Sequence, residues 1–446
     1  MGSQGGNMNI FNKKFSINMT NFVLFLLFLS IFCISFDIFL TINVAGFNLR
    51  FSQILFAVLL IYVLLIVVKK NKIVVPLGFL PLIIWMVFQI IFLPNTTFIE
   101  RSIGYILWMI FNLFMIFTVV NLLTSEDRLK STMRCYIRSF FAVGLFGIIQ
   151  FISPVIGIGK PLIVQWWIKD LVPRVNGFSY EPSYYATYML IGWIVSFYLL
   201  WYKSELFSSR ETKLIFFTCT FAMILSSSRM GILVMGMFIG WQIIKKILTG
   251  KINKWLMRVV IIGIAFCIVL SPFIIEKAEI FLNGTGLRGT SSHSISERSE
   301  KLIDTLQVFM DSPLRGVSLG GVSSAIAKQY EVVVTNQSDA KSFEGMNVFA
   351  EVLAASGLIG VIPFIIFLLS IYMNVKRIAS MVNFREYKIW LLGLLEAFIF
   401  LLIILQFNQN ILRPYLWLHI SMICAVYFIV NTKFIKSRNE RYMLPR

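Results

Sequence analysis

From Asn21 to Val430 the chain is a series of apolar runs, most about as long as a bilayer is thick, separated by short and mainly basic segments. A run of ~20 apolar residues crosses the ~30 Å hydrocarbon layer as a helix, and within that layer only helices and closed barrels satisfy their backbone polar groups. A barrel needs alternating segments of ~10 residues, whereas Phe22 to Ile34 is apolar on every side, with Ser30 its one polar residue. Hydrophobic residues make up 58% of the 446, enough for twelve spans of ~20 residues. The chain reads as an all-α polytopic membrane protein with about 12 transmembrane helices.

The expected spans are 21–45, 51–68, 73–93, 102–123, 136–152, 183–202, 212–228, 230–248, 256–275, 347–373, 388–406 and 412–431. Placing both termini in the cytoplasm puts 26 of the 40 Lys and Arg inside and one in each short outer loop: Arg50, Arg101, Arg229 and Arg413. That bias sets the orientation, and these four arginines count as part of the same topology signal. The formal charge of +19 then reflects topology and contact with anionic lipid heads rather than nucleic-acid binding. The expected organisation is a cytoplasmic N-terminus over 1–20 that opens with a vector-like remnant, and helices 1–9 over 21–275. A large periplasmic or extracellular loop follows over 276–346, then helices 10–12 over 347–431 and a cytoplasmic tail over 432–446.

The five Cys are scattered with no CxxC pair, so neither a disulfide framework nor a zinc site is implied. Phosphate-loop, HExxH and DxD signatures are absent, and the only His are His293 and His419. The large loop has room for ordered structure. A Gly/Ser/Thr-rich run over 283–292 should be mobile. Ser294-x-x-Glu297 then fits a capping box, and Leu302, Ile303, Leu306, Phe309 and Met310 mark one apolar face, so an amphipathic helix is expected over 295–311, stopped by Ser312-Pro313.

Chemistry-bearing residues gather on the outer side. Arg229 ends Ser226-Ser227-Ser228-Arg229 between two apolar stretches, where a buried cation calls for a partner. Arg174 to Ser183, the run RVNGFSYEPS, ends the first long outer loop, and Pro182 there suits the first turn of a helix, placing Glu181 at its N-terminus. Glu181 is either a cap favoured by the helix dipole or a reactive carboxylate. Arg298 opens the loop helix. Arg174, Arg229 and Arg298 come from three parts of the chain, and guanidinium groups match phosphate oxygens bidentately. Together with Glu181 they form a candidate site for a phosphorylated amphiphile.

Four segments occur in order: Ser226–Arg229; Arg298 leading to Asp311-Ser312-Pro313-Leu314-Arg315-Gly316-Val317-Ser318-Leu319-Gly320; Asn347–Glu351; and Ser356-Gly357-Leu358-Ile359-Gly360. With Glu181-Pro182-Ser183, this order resembles the O-antigen ligase and polymerase superfamily, over about 174–417. The resemblance implies a GT-C-like fold and an inverting, metal-independent glycosyltransferase with no cofactor. The donor and acceptor would be oligosaccharides on undecaprenyl diphosphate. The site would lie on the outer side of the bacterial cytoplasmic (inner) membrane, with membrane lipid, a chain-length regulator and a flippase as further partners and no nucleic acid. It casts Glu181 as general base, Arg229 and Arg298 as leaving-group stabilisers, and Arg174, Asn176, Tyr180, Arg288, Arg315 and Asn347 as substrate-binding residues. Ligases of this superfamily carry His immediately before the Asn at the tenth span, and here Met346 stands there, which favours a Wzy-type polysaccharide polymerase for O-antigen, capsule or exopolysaccharide.

Two rivals remain. An O-antigen ligase or protein O-oligosaccharyltransferase would share fold and donor. A lipid-linked sugar flippase would differ in class and would use Asp37 and Glu396, acids within spans that read otherwise as satisfied core groups.

Overall fold

The computed structural model describes residues 19, 21–44, 47–157, 163–168, 172–249, 287–407 and 410–443. Its first eight helices are α1 (Asn21–Ser35), α2 (Phe51–Lys70), α3 (Phe79–Ile91), α4 (Ile99–Leu122), α5 (Glu126–Ile152), α6 (Pro182–Trp201), α7 (Ser209–Leu225) and α8 (Arg229–Leu248). After the loop helices α9 (Leu287–Asp311), α10 (Val322–Gln329) and α11 (Gln337–Ser342) come α12 (Val348–Met381), α13 (Arg385–Ile404) and α14 (Pro414–Met443). Eight of these helices are long and apolar enough to cross a membrane, and the described fold is all-α and polytopic. Every expected span meets a helix except 256–275, which lies outside the described residues. Helices α6, α13 and α14 form the centre of the bundle, with α6 against α7 and α13, α14 against α4 and α3 against α12.

The first expected span is corrected. α1 ends at Ser35, and the chain enters an antiparallel hairpin of β1 (Thr41–Val44) and β2 (Phe47–Arg50). Helix continued through Asp37 would carry an acid into the bundle unpaired. The break instead sets the buried Asp37 carboxylate against Arg50 Nε at 2.8 Å and Arg413 Nη1 at 3.3 Å, while the N–H groups of Asp37 and Ile38 donate to the Phe178 carbonyl. β-branched residues downstream suit the extended backbone. A second hairpin pairs β3 (Gln165–Ile168) with β4 (Val172–Arg174). The third span is also shorter than expected, its helix beginning at Phe79 after a left-handed Gly78.

The loop helix departs from expectation at its start and its face. α9 begins at Leu287, so 287–292 is helical and the capping box does not mark the N-terminus. The buried stripe is Thr305 and Val308, while Ile303, Leu306 and Met310 are exposed. Thr305 tolerates burial because its hydroxyl donates to the Lys301 carbonyl at 2.6 Å. α9 packs on α12.

Helix α12 is broken. Gly357 takes φ 58° and ψ −175° within it, about 14 Å along the axis from its first residue. The chain over Pro313–Ser318 fills the gap: Val317 and Ser318 N–H donate to the Ala354 and Ala355 carbonyls at 3.1 and 2.8 Å, and Leu358 and Ile359 N–H donate to the Pro313 and Leu314 carbonyls at 2.8 and 3.2 Å. Irregular backbone at membrane depth is tolerated only when its polar groups are met inside the protein. Gln89 completes the clasp, its Oε1 accepting from Leu319 N–H at 3.0 Å and its Nε2 donating to Ser356 Oγ at 2.9 Å. The two segments most distinctive in sequence, 311–320 and 356–360, thus hold each other.

Both acids placed within spans are paired. Asp37 meets two arginines, and Glu396 accepts from Gln242 Nε2 at 2.7 Å and forms an ion pair with Lys245. His419 is buried between Tyr136 and the Leu394 carbonyl, both at 2.9 Å. Since a carbonyl only accepts, Nε2 carries the proton and Nδ1 receives the tyrosine hydroxyl.

Candidate functional site

At one end of the bundle the N-termini of α2, α4, α6, α12 and α14 gather around a cavity of about 440 Å³. Helix N-termini present unpaired N–H groups and a partial positive charge, a field that favours an anion. The wall carries Arg50, Arg101, Lys341 and Arg413 together with Glu181, Glu344 and Glu351.

Glu181 sits where Pro182 starts α6, in an extended conformation (φ −131°, ψ 146°), and its side chain makes no capping bond to the helix N–H groups. The Ser183 hydroxyl donates to its Oε2 at 3.0 Å. Buried Gln150 holds the approach to this turn: its Oε1 accepts from Asn176 and Gly177 N–H at 3.2 and 3.0 Å, and its Nε2 donates to Asn176 Oδ1 at 3.0 Å. Asn176, also buried, donates on to the Ser179 carbonyl at 2.6 Å. The polar network is therefore spent on fixing the loop that delivers Glu181 and Tyr180 to the cavity.

The opposite wall is a chain of charges. Arg413 shares Asp37 with Arg50, lies over the Tyr184 ring at 3.4 Å, and has a buried Nε without a hydrogen-bond partner among the described residues. The Glu181 carboxylate is among the charges acting on it. Arg101, also buried, donates to Gln337 Oε1 at 2.9 Å, Tyr105 Oη at 3.2 Å and Glu344 Oε1 at 2.5 Å. α11 and the turn after it are thus tied to α4. Glu351 accepts from Gly345 N–H at 2.8 Å and closes the floor between these elements.

Of the residues singled out in sequence, Glu181 and Tyr180 line the cavity. Arg174 stands beside them, half-buried, donating to Gln165 Oε1 at 2.9 Å. Burial pushes its guanidinium below the usual range, repulsion from Arg229 adds to that, and Glu181 opposes it. Arg174 therefore interacts electrostatically with both Arg229 and Glu181. Arg229 is exposed at the first residue of α8, where Ser228 Oγ accepts from Gly231 N–H at 3.3 Å. Arg298 is half-buried on α9, outside the cavity wall, and Arg315 is exposed in the turn after α9. Arg288 lies in the first turn of α9, its side chain outside the described residues. Asn347 caps α12, accepting from Ala350 N–H at 2.9 Å and donating to the Gln406 carbonyl at 3.3 Å.

Arg50, Arg101 and Arg413 are the residues that sequence reasoning passed over. Each was the lone arginine of a short outer loop, and the available signal was that all three sit immediately before or within the first turn of a span. Met346, the departure from the ligase pattern, is itself in the cavity wall.

No curated protein matches the chain. Residues 214–365, about a third of its length, match a family model described as O-antigen ligase, whose members are glycosyltransferase-like enzymes. That stretch runs from α7 through α9 and the clasp into α12, and its likeness to the O-antigen ligase-like model is consistent with the O-antigen ligase and polymerase superfamily.

Proposed function

We propose that the protein is a polysaccharide polymerase that transfers a growing glycan from undecaprenyl diphosphate onto a sugar hydroxyl of an incoming lipid-linked repeat unit. The observation that carries this reading is the carboxylate of Glu181, set in an anion-attracting cavity within electrostatic reach of Arg174 and Arg413. In this mechanism the acceptor oxygen attacks the anomeric carbon as its proton passes to Glu181. The bond to the diphosphate oxygen breaks with inversion, and lipid diphosphate leaves with the bonding pair. Arginines facing the departing oxygens stabilise charge that develops only as the bond breaks, the electrostatic role that contributes most in such reactions. Arg229 and Arg298 are assigned to that leaving group and Arg174 to its positioning, while Arg413 and Arg101 supply the fixed positive wall. The cavity end would face the periplasm or cell exterior, with both termini in the cytoplasm.

Met346 favours a polymerase over a ligase or protein O-oligosaccharyltransferase, because an apolar side chain occupies the place of the histidine expected of those enzymes. A flippase loses its candidate coupling groups, since Asp37 and Glu396 are both ion-paired. The test is incubation of the purified protein with lipid-linked repeat units: a ladder of lengthening glycans supports the proposal. Transfer confined to a lipid A core or protein acceptor, with no ladder, would overturn it.

A further inference from the structure

Away from the cavity, α1 and α5 leave a groove of about 520 Å³ between them. One wall is Phe28 and Phe32, a turn apart on α1; the other is the face of α5 that carries Arg134, Cys135, Arg138 and Ala142. The volume lies within the ~300–1,000 Å³ of ligand pockets. Cys135 Sγ approaches the Phe28 carbonyl at 3.8 Å, so Arg134 is level with the start of the aromatic wall. Ala142 lies eight residues further along α5, about 12 Å deeper by helix rise, in the same direction as Phe32. The groove thus has a cationic mouth and an apolar floor.

Its charge is specific. Arg138 is answered by Glu211 at 2.8 Å and covers the Phe207 ring at 5.4 Å. Arg134 is held by one bond, Nε to the Leu206 carbonyl at 3.0 Å, and its Nη groups have no hydrogen-bond partner among the described residues. One positive charge is left uncompensated at the mouth. α5 is polar from Glu126 to Arg134 and mainly apolar from Ser139 onward, which sets Arg134 at headgroup level and Ala142 among acyl chains in whichever leaflet this end occupies.

We propose that this groove binds one anionic phospholipid, its phosphate against the Arg134 guanidinium and one acyl chain along Phe28, Phe32 and Ala142. A basic pocket between transmembrane helices is an established form of lipid-headgroup recognition, and a monoanionic phosphodiester matches the single free charge. The site takes no part in glycan transfer, so its failure leaves the polymerase reading untouched.

Native mass spectrometry of the delipidated full-length protein, titrated separately with phosphatidylglycerol and phosphatidylcholine of identical acyl chains, is the test. The expected result is one phosphatidylglycerol held roughly fivefold to tenfold more tightly than phosphatidylcholine. Arg134→Gln should abolish that preference, and Ala142→Trp, which fills the apolar end, should weaken both lipids with Arg134 intact; thermal melts establish that each variant is folded. Equal affinity of the wild type for the two lipids would overturn the proposal. So would a preference unchanged in folded Arg134→Gln, or, if that variant fails to fold, unchanged lipid binding in Ala142→Trp.

Discussion

Glu181 separates two roles that a substitution can tell apart. A cap tolerates Gln with a stability change of no more than about 1 kcal/mol, whereas a general base that loses its proton acceptor loses ~10² to 10⁴ in rate. The absence of a capping bond and the donation from Ser183 leave Glu181 facing the cavity. Glu181→Gln is therefore expected to melt like the wild type and to form no ladder; normal elongation would return the residue to a structural role. The arginines divide by burial. Arg229→Ala, at an exposed position, should shift stability by less than about 0.5 kcal/mol while lowering polymer formation by ~10² to 10³. Arg413→Ala removes one of the two partners of buried Asp37 and should destabilise the protein by about 3 kcal/mol or more in a denaturation assay. Sequence could flag Glu181 because Pro182 fixes its place. It could not separate Arg50, Arg101 and Arg413 from topology markers, because a lone arginine at a span end looks the same whether it faces lipid heads, an acid or a cavity.

At the scale of elements, the clasp gives the sharpest expectation. A Cβ at Gly357 would lie 2.5 Å from the Leu314 carbonyl carbon and oxygen, on a backbone of φ +58° that L residues avoid. At Gly316, with φ +67°, it would lie 2.5 Å from the Ala355 oxygen. Gly357→Ala should cost about 2 to 3 kcal/mol and loosen the Pro313–Ser318 segment, read as a lower melting temperature and faster proteolysis after α9. Ala substitution at Gly236, which has open space around the Cβ position, is the matched control. Helix positions were legible because a membrane imposes its thickness on hydropathy. The early end of α1 was not, since Ile and Phe are equally apolar in helix and hairpin and the deciding contacts come from Arg50, Phe178 and Arg413. The face of α9 was misjudged for a related reason: in a membrane protein an apolar stripe need not be the one that packs.

For the whole molecule, the gathering of helix N-termini and arginines at one end would, in the proposed mechanism, supply the positive field that a divalent cation provides for a diphosphate elsewhere. Glu344 of the cavity wall and the neighbouring Asp37 are already committed to arginines, and among the described residues no group of three His, Cys, Asp or Glu could hold a metal. Polymerisation should persist through exhaustive EDTA treatment. A loss restored by Mg²⁺ or Mn²⁺ would contradict the mechanism. The overall class was legible because hydropathy is summed over hundreds of residues. The cavity was not, because it exists only where five separated helix ends meet.

The interlock between the broken helix and the preceding loop also constrains biogenesis. Until Pro313–Ser318 arrives, α12 carries unmet carbonyl and N–H groups about 14 Å below its cap, an arrangement lipid does not tolerate. Yet the loop has nothing to seat in until the helix that follows it in the chain has been made. The broken form of α12 is therefore expected to arise only as the loop docks, and a chain that holds the break without the loop should remain with its translocation machinery rather than partition into the bilayer.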